Sequence, residues 1–447
     1  MYSTLKIAAR LFTVSLIICN GVSVAQETGT RCSQQINYLS DTDGAYKYLE
    51  QLQRHVYAAN PNETDPFTRA ELNKPQFART WTDLAKELAA QGCDASGKQC
   101  VGDYDLYMQM LKSIECDSIP TRFESPMFIE LIRLYTNNLL AVAKADFPGA
   151  AEARFGSLPT GTIDAQAMLV PKINQPIVIL NRDLFYFTGA LSKSISDAIE
   201  IDEVENHVAL QYSDQAISKR LNEHPYIVRN FADAIVRMIK FGTSKGADEI
   251  TLDADHNRLH ARLVSAMDMF IVAHEESHVL LKHVNDNLVS FALGSAASDA
   301  GPGSASAPTT DTSLTIQTRT REQELAADSL GFTLMIRSIS RETPDGDPVG
   351  VMIAAAAPDI IFRIIDSAES YGRAANGRSF TDANHPLAKD RAEALTPVIE
   401  KLRDTGGPLN GVPDFRPVFD MSLATLLKFA DPLIRKDLGL PLTVQGN

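Results

Sequence analysis

Positive charge is scarce in this sequence. Lysine and arginine total 42 against 56 aspartates and glutamates, a net charge of −14 over 447 residues. A general nucleic-acid binder needs a basic surface that displaces counterions, so the balance argues against that class. Long apolar runs are also missing. None reaches the ~18 residues that suggest a transmembrane helix, so no integral membrane span is expected. No internal repeat of fixed period is visible. The five cysteines include no C-x-x-C pair, which argues against a zinc ion held by cysteines. What is present is 44% hydrophobic residues, enough for a sizeable core, so global disorder is excluded. The nine histidines are the informative part of the composition.

The first residues have the layout of a secretory signal peptide over 1–25. Lys6 and Arg10 precede an apolar stretch from Leu11 to Ile18, and Ser23 and Ala25 stand at −3 and −1 of a cleavage point before Gln26. The expected localisation is therefore exported, either periplasmic or secreted. Export recasts the cysteines. Cys19 leaves with the signal, while Cys32, Cys93, Cys100 and Cys116 remain as an even set in the first quarter of the chain. An oxidising compartment favours disulfides among them. Of three connectivities, Cys93–Cys100 with Cys32–Cys116 is preferred, because a turn-like segment separates Cys93 from Cys100.

The pattern predicts an α+β, predominantly helical protein. Residues 26–125 read as a Cys-containing N-terminal region of short helices, among them Trp81 to Ala90. Phe128 to Ala145 is an amphipathic helix. Pro148 to Gly161 reads as a loop, Ile163 to Leu180 as extended structure, and 190–242 as helical. Asp253 or Asp255 caps a long helix to about Val284 whose middle is apolar on most sides, a sign of burial. Residues 294–313 are rich in Gly, Ala, Ser, Thr and Pro and read as a flexible loop, a flap or a self-cleavage site. Thr320 with Gln323 forms a capping box for a helix to about Ser340. Val351 to Ser370 is another helix, and His385-Pro386 begins a further one.

The central signal is His274-Glu275-Glu276-Ser277-His278, an H-E-x-x-H. On a helix, positions i and i+4 lie about 40° apart in azimuth and one turn apart in height. Both imidazoles can then reach one zinc ion, with Glu275 beside them to take a proton from an activated water. A catalytic zinc needs a third protein ligand. His283 falls about 140° round the helix from His278, so it reads as a solvent-face histidine. Glu324 is the better candidate. Glu324 and Asp328 share a helical face at i, i+4, so Glu324 can ligate while Asp328 accepts a hydrogen bond from a ligating imidazole. Taken alone this stretch reads as a surface helix with scattered acids; beside the H-E-x-x-H the ligand reading is preferred. Ala326 and Ala327 let the two helices approach closely.

H-E-x-x-H followed by Glu324-Leu325-Ala326-Ala327-Asp328 resembles the gluzincin zinc metallopeptidases, specifically the CaaX prenyl endopeptidase/HtpX-like family. The segment His385-Pro386 through Arg391 is similar to that family's H-P-x-x-x-x-R, and Ile163 to Ala167 followed by Ile177 to Leu180 to its strand beside the substrate cleft. The resemblance implies a metallopeptidase domain over 126–402. It would consist of an active-site helix, a small mixed sheet with an edge strand, and a second ligand helix. By the same resemblance His385 stabilises the oxyanion and Arg391 supports the site. Residues 26–125 and the C-terminal segment 403–447 are unmatched, and about eighty residues separate Phe187 from the motif where the family has few.

The expectation is an exported zinc-dependent metalloendopeptidase acting on protein or peptide substrates. It would hold one Zn²⁺ per chain through His274, His278 and Glu324, with the edge strand near Ile177 to Leu180 pairing with an extended substrate. The alternative is a catalytically silent envelope protein, binding or chaperone-like, that retains the fold. His256 and His260 form a second i, i+4 pair near Asp253 and Asp255, and read as exposed imidazoles at a capped helix start. Phe185, Tyr186 and Phe187 read as core.

Overall fold

The fold follows from a computed structural model. It describes residues 4–8, 38–59, 119–285, 288–292, 313–317, 319–342, 348–377 and 386–442, apart from 125, 151, 162, 164, 205–206, 248–249 and 405. Helix dominates, with a small mixed sheet beside it. In chain order the elements are β1 (Thr4–Ala8), α1 (Gly44–Ala59), α2 (Pro126–Ala143), β2 (Arg154–Leu158), β3 (Ala165–Leu169), β4 (Pro176–Asn181), α3 (Arg182–Asp197), β5 (Glu200–Val204) and β6 (His207–Gln211). They continue as α4 (Asp214–Glu223), α5 (Pro225–Phe241), α6 (Ala254–Leu280), β7 (Leu288–Ala292), β8 (Ser313–Gln317), α7 (Arg321–Glu342), α8 (Pro348–Asn376), α9 (Ala388–Arg403) and α10 (Arg416–Leu438).

Helix α6 is the axis of the molecule. Its residues from Met267 to Leu280 are all buried, and α7, α3, α8, α2 and β3 pack around it. Asp253 caps its start, accepting from the amides of Asp255 and His256. At the start of α7 the capping box closes in both directions: Gln323 N donates to Thr320 Oγ1, and Thr320 N donates to Gln323 Oε1. One continuous core joins α2 through α10, so α10, which follows residue 403, packs its Val418, Phe419, Leu426 and Ile434 into it.

The site-bearing sheet has the order β2-β4-β3, with β2 parallel and β3 antiparallel to β4. Strand β4 is therefore central, which corrects the expectation that Ile177 to Leu180 form the edge. The sequence carries the reason. A strand covered on both faces reads as an unbroken apolar run, and all six β4 residues are buried. One face meets the main core through Val178 and Leu180. The other is covered by α1, whose Ala45, Leu49 and Leu52 pack on Leu158, Met168, Ile177 and Ile179. Gly156 permits that approach, since a Cβ there would stand 2.0 Å from the Leu49 side chain. A buried polar knot pins the same corner. Glu124 accepts from Ser157 N at 2.6 Å and from Gln53 Nε2 at 2.5 Å, and Arg182 donates to Ser157 Oγ and Phe123 O.

Other expectations also change. The loop expected over 148–161 contains β2, and the helical reading of 190–242 is interrupted by the β5–β6 hairpin. Strand β1, inside the expected signal, pairs antiparallel with β6. The helix expected from His385 starts at Ala388, after Leu387. Helix α8 is long and apolar enough to cross a membrane, with a window of mean hydropathy 1.7, but 72% of that window is buried inside the protein. Trp81 to Ala90, Cys32, Cys93, Cys100, Cys116, His385 and the Gly/Ala/Ser-rich stretch between β7 and β8 lie outside the described residues.

Candidate metal centre

The crossing of α6 and α7 builds the site. Gly331 of α7 lies against the backbone of α6 at Ala273 and His274, where an added Cβ would meet His274 N at 2.9 Å. Ala327 is fully buried in the same contact region. That close approach brings Glu324, one to two turns earlier, to the two imidazoles. His274 Nε2 and His278 Nε2 stand 3.1 Å apart, and the Glu324 oxygens lie 3.5 Å from the first and 3.4 Å from the second. These three residues form the metal-capable cluster found among the described residues, and all three are buried. Ligand atoms ~2.0–2.2 Å from a tetrahedral zinc ion stand about 3.3–3.6 Å from one another. The donor set is that of a two-histidine, one-carboxylate metal site, and the separations of 3.1, 3.4 and 3.5 Å, the last two to different Glu324 oxygens, lie close to that range.

Asp328 orients the first imidazole. Its Oδ1 lies 2.9 Å from His274 Nδ1. Arg391, entering from α9, grips the same carboxylate through Nε at 2.8 Å and Nη2 at 2.6 Å. Its guanidinium also lies over the Phe362 ring. Burial by itself would raise Asp328, yet the Arg391 charge holds it down at about 2. The resulting anion acts on its neighbour. Burial would lower His274, but the carboxylates of Asp328 and Glu324 raise it to about 9. His278 goes the other way, held well below the usual range by burial and by the charge of Arg319.

Arg319 carries no signal in the sequence. It precedes the cap of α7 in a polar stretch, and no motif marks it. Its Nη2 donates to Ala167 O at 2.8 Å and lies 3.3 Å from Glu275 Oε2, while Nη1 lies 3.7 Å from Glu324 Oε1. Ala167 N donates to the same Glu275 oxygen at 2.6 Å. Both outward main-chain groups of Ala167 are thus engaged, on the edge of β3 that faces away from β4. The other oxygen, Glu275 Oε1, lies 3.8 Å from His274 Nε2, on the ligand side. Its neighbour Glu276 contrasts with it. Glu276 is fully buried, and neither carboxylate oxygen has a hydrogen-bond partner among the described residues. Burial and the nearby Glu152 raise it to about 7.

Two histidine assignments are corrected. His283 is half-buried, and its Nδ1 lies 3.0 Å from His278 Nδ1. His256 and His260 are buried rather than exposed. His256 bridges Asp253 Oδ2 and Ile199 O, and His260 Nδ1 meets Ser192 Oγ at 2.9 Å. Phe185 and Phe187 join the core as expected, whereas Tyr186 is exposed, with Lys245 over its ring. No family model matches the chain, and neither the curated proteins nor the solved structures include a match to it.

Proposed function

We propose that this chain is a zinc-dependent metalloendopeptidase, with His274, His278 and Glu324 holding the ion. The observation that carries the reading is the buried triangle of ligand atoms with Glu275 Oε1 at its side. Zinc in such a site would supply Lewis acidity and lower the pKa of a water molecule to about 7. Glu275 is the general base: one oxygen is fixed by Ala167 N–H, and the other takes the proton and returns it to the leaving amine. Asp328 and Arg391 keep His274 in the tautomer that offers Nε2. The outer edge of β3, rather than the β4 run, is the surface on which an extended peptide would add, and addition at Ala167 would have to displace Arg319 from its carbonyl. By the gluzincin resemblance, His385 would stabilise the oxyanion. The N-terminal pattern supports export to a periplasm or the outside, with Cys32, Cys93, Cys100 and Cys116 as disulfide staples.

A second reading has a specific observation behind it. Arg319 covers Ala167 O, one of the groups that an added strand would need. A silent binding protein that retains the fold would keep such a contact permanently. Metal analysis and proteolysis separate the two. The peptidase reading requires about one zinc per chain and cleavage of unfolded casein. Glu275→Gln should keep the zinc and lower the rate by about 10²–10⁴-fold. Zinc-bound protein that never cleaves selects the silent reading. Cleavage that survives Glu275→Gln overturns the peptidase assignment.

A further inference from the structure

The two imidazoles of the triangle are anchored by different chemistry. His274 Nδ1 faces a carboxylate that an arginine holds in place. His278 Nδ1 faces another imidazole nitrogen, that of His283, at 3.0 Å. An imidazole that ligates through Nε2 must carry its proton on Nδ1. If His278 ligates that way, its Nδ1 is the donor and His283 Nδ1 the acceptor, with the proton of a neutral His283 on Nε2.

The backbone explains how residue 283 reaches residue 278. On a continuing helix a spacing of five places them about 140° apart. Helix α6 stops first. The amide of Leu281 bonds back to Ser277 O, and Lys282 takes a left-handed conformation at φ 62°. A short 3₁₀ turn over His283–Asn285 follows, packed on both α6 and β3, with Val284 buried as its anchor. This reversal carries the His283 ring back to within 5.2 Å of the His278 ring, tilted by 59°. A non-glycine residue in the left-handed region is uncommon and carries a cost, so the turn is a specific device rather than a frayed helix end.

We propose that His283 is a positioning residue for the metal centre. It accepts the Nδ1–H of His278, fixes that ring's tautomer and plane, and ties this ligand to strand β3 through the turn it occupies. The proposal rests on reading His274, His278 and Glu324 as a metal site, but not on the reaction carried out there.

The test uses the full-length protein and two variants, His283→Ala and His283→Asn. The Oδ1 of asparagine falls where the histidine Nδ1 stands, so Asn keeps an acceptor that Ala removes. Zinc affinity, measured by competition with a chromogenic chelator, should fall about 10-fold or more in His283→Ala, as for other lost partners of ligating histidines. It should recover most of that loss in His283→Asn. Long-range ¹⁵N–¹H spectra of the metal-free protein give an independent readout. His278 should carry its proton on Nδ1 in the wild type and the Asn variant, and shift toward Nε2–H in the Ala variant. Unchanged affinity in His283→Ala, an equal loss in both variants, or a tautomer indifferent to residue 283 would overturn the proposal. Should the wild-type chain bind no zinc, the metal-site reading fails, and the metal-free spectra still decide whether His283 controls His278.

Discussion

Helix α6 carries two histidine pairs at the same i, i+4 spacing, His256/His260 near its start and His274/His278 near its end. Both pairs are buried. They differ in what faces them. The first pair looks onto a capping aspartate, a backbone carbonyl and a serine hydroxyl, each partner serving one ring. The second pair looks onto Glu324, a single carboxylate within 3.5 Å of both Nε2 atoms. Spacing puts two rings on one face; a third donor from another helix makes the face a site. Burial alone does not favour a charged ring either: His260, with little but a hydroxyl beside it, is lowered to about 4 by burial and by Lys193.

The largest expected effect breaks this difference at its source. Glu324→Ala leaves both histidines in place and should reduce the second pair to the state of the first. Zinc retained after dialysis should fall from about one per chain to background. His260→Ala should leave the zinc content unchanged. Equal zinc in Glu324→Ala and wild type would show that the third donor is not what distinguishes the two pairs.

That contrast also marks how far the sequence could be read. The motif, both ligand helices, the capping box at Thr320 and Gln323, and the positions of Glu324 and Asp328 follow from local spacing, and the structure brings those residues together. The missing parts depend on contacts that no local pattern carries. Arg319 reaches Ala167, 152 residues away, from a segment without a motif. His283 reads as solvent-facing only if helical periodicity continues past Leu280, and the left-handed Lys282 breaks it. Strand β4 reads as an edge from sequence because β2, the strand on its second side, lies in the stretch 148–161 that reads as a loop. Sequence places the close crossing at Ala326 and Ala327; Gly331, one turn on, also lies against the α6 backbone and carries no such signal.

A smaller effect should come from the support of the first ligand ring. Asp328→Asn keeps an oxygen for His274 Nδ1 but removes the charge that Arg391 neutralises. Zinc affinity should fall by about 10–100-fold, read by chelator competition. The loss should exceed that of His283→Ala, because a charged acceptor strengthens its imidazole more than a neutral one does. The reverse order would mean that the two anchors are not graded by charge.

The last expected effect leaves the zinc content alone and is on stability, in the stretch between the two pairs. Asp268 is buried like Asp328, but among the described residues the side chain that bonds it is Thr188, whose hydroxyl donates to it at 2.7 Å. With no arginine beside it among the described residues, burial raises it to about 8, where Asp328 is held at about 2. Between its unfolded value near 4 and its folded value near 8, the folded protein retains a proton that the unfolded chain has released. Stability from this group is therefore fully present below about pH 4 and declines as pH rises toward 8, by at most about 1.4 kcal/mol per unit. Asp268→Asn offers Thr188 the same acceptor without the ionisation. Denaturant titrations at pH 5 and pH 8 should show the variant gaining on the wild type by a few kcal/mol between the two conditions. A pH-independent difference would place a counter-charge near Asp268, and would remove the distinction between the paired and unpaired stretches of α6.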